Sequence, residues 1–325
     1  MSNEKKAKAQ AGINIALIKY WGKKNTELNQ PAVGSLSLTL DTFTTETTVH
    51  FSDACAKDTF TLNGSTRDDN RVSSLLHDIR RIAAVRECAT VTSVNRVPTA
   101  SGLASSASGT AALVTAAWHA AGLPTENLVH NPTFLDLVRR GSGSAPRSLL
   151  PGLVELERDS GQITSLWSGS DWPIRMVVAQ ATQGPKEISS REGMAITQAS
   201  SPYYKAWVEQ HPRHLRAARD AIAGRDIEAL GHLMEVSTMR MHACMLASDP
   251  PLRYLKGVTL QMMDCIESLR RGGLGAWYTM DAGPHVKVLC LEDDVSAVVD
   301  ALSELIDHDR ISVAKPGPGA HCIEP

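Results

Sequence analysis

The segment PTASGLASSASGTAALVTAAWHAAG, residues 98–122, passes from a loop of small residues into an alanine-rich stretch of high helix propensity. No other part of the chain constrains its fold as strongly. Glycine, serine and alanine let backbone N–H groups approach a phosphate closely, and the positive end of the following helix adds to the attraction. Gly102, Ser105, Ser106 and Ser108 suit that task, with Leu103 and Ala104 in the same loop. Tight helix packing is the alternative explanation. The loop has neither the G-x-x-x-x-G-K-[ST] nor the G-x-G-x-x-G pattern, so a nucleotide-binding fold of another kind is required.

Around this loop the chain alternates between strand and helix patterns. INIALIKY (13–20) reads as a strand that delivers Trp21, Gly22, Lys23 and Lys24 to its end. Residues 36–48 alternate apolar with Ser or Thr, and with 49–51 and 59–62 they predict antiparallel strands with one polar face; Asn63-Gly64 is a turn. Apolar positions 72, 75, 76, 79, 82 and 85 carry helical spacing, and 89–94 is a strand. Residues 133–138 are helical and lead into a second small-residue loop at 139–150, with a strand beginning at 151–156. A strand at 174–179 precedes helical patterns at 191–200, 203–209, 213–223, 226–238 and 252–271, followed by strands near 274–279 and 285–291. This interleaving predicts an α+β fold, an α/β sandwich. At 325 residues the chain exceeds one ordinary core, so two lobes sharing a cleft are expected, divided near residue 185 into 1–185 and 186–325.

Composition narrows the function. A net charge of -2 argues against a surface built for nucleic acid, and no stretch approaches the roughly 20 apolar residues of a membrane span. The six cysteines are scattered without C-x-x-C or zinc-like spacing, which suits reduced thiols and a cytoplasmic protein.

PTASGLASSASG (98–109) resembles the phosphate-binding motif of the GHMP kinase superfamily. NIALIKYWGK (14–23) is similar to the N-terminal signature of one branch, the diphosphomevalonate decarboxylases. SLSLTLD (35–41), RGSGSAPRS (140–148), SSREGM (189–194), SPYY (201–204), Met241-His242, YTMDAGP (278–284) and PGPG (316–319) follow in family order across nearly the whole chain. The resemblance implies a two-lobed GHMP kinase fold with its active site in the cleft, ATP and Mg2+ as cofactors, and a homodimer. It also implies that ATP phosphorylates the tertiary 3-hydroxyl of mevalonate 5-diphosphate, after which phosphate and carbon dioxide leave to give isopentenyl diphosphate.

Carried over residue by residue, the resemblance makes Asp281 the carboxylate beside the reacting hydroxyl, Lys19 a cation near it, and Arg147 the holder of the substrate carboxylate. An ionised Asp can orient a hydroxyl, accept its proton as the bond forms and then stabilise positive character at C3, and an arginine fork offers paired donors of fixed charge. A turn-forming Asp, a snorkelling lysine and a solvated arginine are the plain alternatives. Tyr20, Lys23, Ser142, Gly143, Ser144, Ser190 and Arg191 match the diphosphate end. Ser93 and Asn95 fall on the adenine side, and Ser105 or Ser106 lies near the phosphates or the metal.

Three departures stand out. Val33-Gly34 replaces a polar pair, so one substrate contact is expected to be missing; Arg96 replaces a neutral residue before the phosphate loop; and Pro146 stiffens the arginine loop. The competing readings are a relative acting on mevalonate 5-phosphate, a 3-kinase without decarboxylation, a simple GHMP kinase, and a ligand sensor without turnover.

Overall fold

The structure, a computed structural model, describes residues 5–96, 105–182 and 187–324. The chain opens with β1 (Lys6–Ile18), makes a small hairpin of β2 (Lys23–Asn25) and β3 (Gln30–Pro31), and returns as β4 (Ser35–Ser52), antiparallel to β1. The segments expected separately at 36–48 and 49–51 form this one strand. Its first half is buried on both faces, whereas the second alternates buried and half-buried positions. β5 (Thr59–Leu62) and β6 (Ser65–Thr66) form a hairpin around Asn63 and Gly64, both at positive φ. Asp69 caps α1 (Asn70–Ala83) by accepting from the amides of Arg71 and Val72. β7 (Cys88–Asn95) then pairs antiparallel with β4 but parallel with β5, which corrects the all-antiparallel expectation for 59–62.

The alanine-rich segment forms α2 (Ser105–Ala120), and Asn131 caps α3 (Pro132–Gly141). The expected loop at 139–150 is more ordered than its composition suggests. α3 takes its first residues, and Ala145–Leu149 is a 3-10 helix in which Pro146 occupies a position near the start that needs no N–H donor. β8 (Leu153–Leu156) and β9 (Ile163–Trp167) complete this side, β8 pairing with β4.

β10 (Ile174–Ala179) already belongs to a different, four-stranded sheet, so the first strand of the second lobe precedes residue 185. The helices α4 (Ser190–Ser200), α5 (Tyr204–Ala223), α6 (Ile227–Leu246) and α7 (Gly257–Arg271) follow. α5 runs through Pro212, where the sequence pattern breaks into two. β11 (Ala276–Thr279), β12 (Val286–Leu291), α8 (Val295–Ser303) and β13 (Ile311–Ala314) close the second sheet in the order β11-β12-β10-β13. β14 (His321–Ile323) returns to pair with β1.

One apolar cluster lies between the first sheet and α1–α3 and another inside the second lobe. A third joins the lobes: Ile13, Ile15, Leu36 and Leu38 pack with Ile174, Met176, Leu230 and Trp277. Among the described residues all six cysteines are free thiols, and no helix is long and apolar enough to cross a membrane.

Candidate active site

The end of β1, the 3-10 helix at Ala145–Leu149, the start of α4 and the turn after β11 surround a cavity of about 410 Å³. Asn14, Lys19, Tyr20, Lys23, Ser142, Gly143, Ser144, Arg147, Ser190, Arg191 and Asp281 all line it.

At its floor, Lys19 Nζ donates to Asp281 Oδ1 at 2.8 Å and to the Ala16 carbonyl at 2.9 Å, while Lys287 Nζ reaches Asp281 Oδ2 at 3.0 Å. Both lysines are buried, and the Asp281 side chain keeps 30% exposure toward the cavity. Burial alone would raise the Asp281 carboxyl, but the two ammonium groups outweigh it and hold the group far below the usual carboxylate range. Burial pushes Lys19 down to about 8 despite the pull of Asp281. Asp281 is therefore an ionised acceptor at any physiological pH, and Lys19 is the member of the pair that titrates near neutrality.

Arg147 is 2% exposed. Its Nε donates to Ser37 Oγ at 2.9 Å, one terminal nitrogen to Ser35 Oγ, and the other to Asn14 Oδ1 at 3.0 Å. Strand alternation puts Ser35, Ser37 and Thr39 on one face of β4, and the Thr39 hydroxyl holds the Arg147 carbonyl at 3.1 Å. Asn14 donates in turn to Ser148 Oγ at 2.8 Å. Of the five N–H donors of a guanidinium, these bonds use three, and among the described residues no carboxylate pairs with it. Burial pushes Arg147 down to about 10, so it remains a cation. A sealed cation with spare donors and no fixed counter-charge is a receptor for an anion.

The opposite end gathers Tyr20, Lys23, Ser142, Gly143, Ser144, Ser190 and Arg191 with the N-terminus of α4, which the Ser189 side chain caps. Tyr20 Oη is buried with no hydrogen-bond partner among the described residues, and a Cβ at position 143 would lie 2.2 Å from it, so only glycine allows this approach. Lys23 Nζ donates to Asn29 Oδ1 at 2.6 Å; burial, then the charge of Arg191, lowers it to about 8.

A second cavity of about 230 Å³ is lined by Phe60, Leu62, Val72, Leu75, Ser93 and Asn95, among others, and shares Arg71 and Ser106 with the first. Its apolar wall with polar edges suits a flat heteroaromatic base, and the shared residues mark where the two spaces meet. The Ser93 hydroxyl is engaged with Thr47 Oγ1 at 2.8 Å, and Asn95 Oδ1 accepts from Thr45 Oγ1 at 3.2 Å. Ser108 is fully buried with its hydroxyl 2.8 Å from Thr45 Oγ1, a contact that ties α2 to β4. Gly102, Leu103 and Ala104 lie outside the described residues, and Ser105 is the first residue of α2.

The departures find local explanations. Val33 packs with Trp21, Met194 and Trp207, and a Cβ at Gly34 would sit 2.7 Å from Leu215 Cδ2; neither residue lines the cavities. Arg96 pairs with Glu46 at 2.9 Å on the surface.

The chain is 35% identical to the mevalonate diphosphate decarboxylase structure from Staphylococcus aureus, with a TM-score of 0.92 over 98% of both chains. Two family models match in succession, the diphosphomevalonate decarboxylase-like N-terminal domain over residues 11–167 and the mevalonate 5-diphosphate decarboxylase C-terminal domain over residues 176–317. The chain belongs to the diphosphomevalonate decarboxylase family. Within that family it is 34% identical to the Schizosaccharomyces pombe diphosphomevalonate decarboxylase over 90% of this chain and 80% of that protein. A solved complex with MVAPP, AMPPCP and magnesium is 38% identical, with a TM-score of 0.90 over 98% of this chain and 99% of the other.

Sequence reasoning missed Lys287, Asn14 as the partner of Arg147, and Arg71. A lysine inside the buried apolar strand VKVLCL was a signal for the first, and the S-x-S-x-T alternation for the arginine seat. Nothing in the sequence near Arg71 set it apart from a solvated helix-start arginine.

Proposed function

We propose that the chain transfers the γ-phosphoryl group of ATP to the 3-hydroxyl of mevalonate 5-diphosphate and then decarboxylates the product to isopentenyl diphosphate, carbon dioxide, ADP and phosphate. The observation that carries this reading is the seat of Arg147, a buried anion receptor in the same cavity as the Lys19–Asp281 pair. A phosphoryl-transfer site alone does not need it.

In this reading the diphosphate binds Tyr20, Lys23, Ser142, Gly143, Ser144, Ser190 and Arg191, and that remote binding energy places the 3-hydroxyl beside Asp281. Asp281 accepts the hydroxyl's hydrogen bond and raises the electron density on its oxygen. Flanked by Lys19 and Lys287, it is too weak a base to keep the proton, which passes to an oxygen of the transferred phosphoryl group as the new O–P bond forms and the bond to ADP breaks. When the C3–O bond breaks, phosphate leaves with the bonding pair and Asp281 faces the positive character at C3. The C–C bond to the carboxylate held by Arg147 then supplies the electrons of the new double bond. ATP occupies the smaller cavity beside Ser93 and Asn95, with Ser106 and Arg71 toward its phosphates. Mg2+ would be held mainly by nucleotide oxygens and water, with Ser106 as the protein ligand. The metal supplies charge neutralisation of the transferring phosphate.

We place the lobe division between Trp167 and Ile174, because β10 is the first strand to join the second sheet. Family resemblance supports a homodimer, which light scattering checks, and a cytoplasmic enzyme.

The deciding assay supplies magnesium and ATP with mevalonate 5-diphosphate, the 5-monophosphate or free mevalonate, and records ADP and carbon dioxide. Equal yields from the diphosphate alone are expected. ADP without carbon dioxide would leave a 3-kinase, and preference for the monophosphate would move the substrate back one phosphorylation.

A further inference from the structure

One face of α6 touches both halves of the reacting pair. Ser237, Thr238 and His242 lie on adjoining positions of two successive turns and are at most 2% exposed. Ser237 Oγ accepts the backbone N–H of Lys19 at 3.0 Å, at the point where β1 ends. The Thr238 hydroxyl donates to its own helix at the Met234 carbonyl, 2.8 Å, so in its 2.8 Å contact with Thr279 Oγ1 it is the acceptor. Nε2 of His242 is buried with no hydrogen-bond partner among the described residues, and the electrostatic contact of the ring with the Met280 backbone therefore falls to Nδ1. Thr279 and Met280 are the two residues immediately before Asp281.

We propose that Ser237, Thr238 and His242 are positioning residues for the reaction, and that this face of α6 fixes the backbones of Lys19 and Asp281 relative to one another across the cleft. The inference rests on the reading of Lys19 and Asp281 as the reacting pair. Its anchors end on Lys19 itself and on the two residues leading into Asp281, and they reach both lobes from a single rigid helix. Histidine supplies the Nδ1 donor while staying uncharged: burial, and then the neighbouring Lys19, pushes it down to about 4. A charged ring would add a third cation beside Lys19 and Lys287, with Asp281 the acidic group acting on all three.

The test uses the whole enzyme. His242→Phe is expected to lower kcat about tenfold or more while KM for ATP and for the diphosphate stays within about threefold, because misplacing reacting groups affects the chemical step more than binding. His242→Asn, whose side-chain amide can stand where Nδ1–H stands, should recover kcat to within about threefold of the parent. Ser237→Ala, which removes one oxygen and is expected to fold, should lower kcat about threefold to tenfold, again without a matching rise in KM. If His242→Phe does not fold, Ser237→Ala decides by the same criterion. The proposal is overturned if these variants keep kcat within about twofold, if the loss falls on KM, or if His242→Asn is no better than His242→Phe. Asp281→Asn and Lys19→Met separate the two levels: turnover surviving in them removes the reacting pair itself, whereas their inactivity beside normal α6 variants removes only the positioning role.

Discussion

At one end of the larger cavity Lys19, Lys287 and Arg147 are sealed from solvent, and each is tied to fixed partners in the protein. At the other end, among the described residues, Lys23 has one side-chain bond, to Asn29, and Tyr20 Oη has none, while Arg191 is exposed. The first end is organised before any ligand arrives, which is what stabilising a transition state requires. The second leaves donors to be completed by the ligand, which serves binding energy. The difference predicts that substitutions at the two ends will separate kcat from KM.

The largest effect should come from Asp281→Ala, expected to lower kcat about a thousandfold with little change in substrate affinity by calorimetry. Retained turnover would erase the distinction between the ends. Arg147→Gln should lower kcat about a hundredfold, and carbon dioxide should fall further than ADP, because the substrate carboxylate loses its anchor. Equal losses of the two products would place Arg147 in phosphoryl transfer instead. Lys23→Ala, by contrast, should raise KM for the diphosphate about tenfold or more through loss of a charge-assisted bond and leave kcat within about threefold.

A pH profile sharpens the same contrast. As pH rises through about 8, Lys19 loses its charge while Asp281 stays ionised, so kcat should fall on the alkaline side. Lys23, also near 8, should show its limb in KM. The sign for stability is opposite. Unfolded, Lys19 would hold its proton to about 10.5, so between about 8 and 10.5 the folded chain binds fewer protons, and the cost of burying this ammonium is relieved as pH rises. The smallest effect belongs to Arg96→Asn: its ion pair with Glu46 is solvated, so stability should move by no more than about 0.5 kcal/mol in chemical denaturation.

The reacting residues were legible through motifs that match the family, since their local settings alone also fit a turn-forming Asp, a snorkelling lysine and a solvated arginine. Lys19 follows an apolar strand, Asp281 precedes Ala-Gly at a strand end, and Arg147 lies among small residues. What escaped is how the elements pair. Pairing of β12 with β11 sets Lys287 beside Thr279, two residues before Asp281, and Asn14 meets Arg147 across 133 positions of chain. Ser108 reads from the sequence as a phosphate-loop serine, and on α2 its hydroxyl meets that of Thr45. The parallel pairing of β5 was equally invisible, since alternation fixes which face is buried and says nothing of strand direction.

The apolar cluster in which Ile13, Ile15, Leu36 and Leu38 pack with Ile174, Met176, Leu230 and Trp277 belongs to neither lobe alone. Separating the lobes would bring that shared interior into water, so neither half has an independent melting point to display. Heating should therefore give one calorimetric transition whose van't Hoff and measured enthalpies agree.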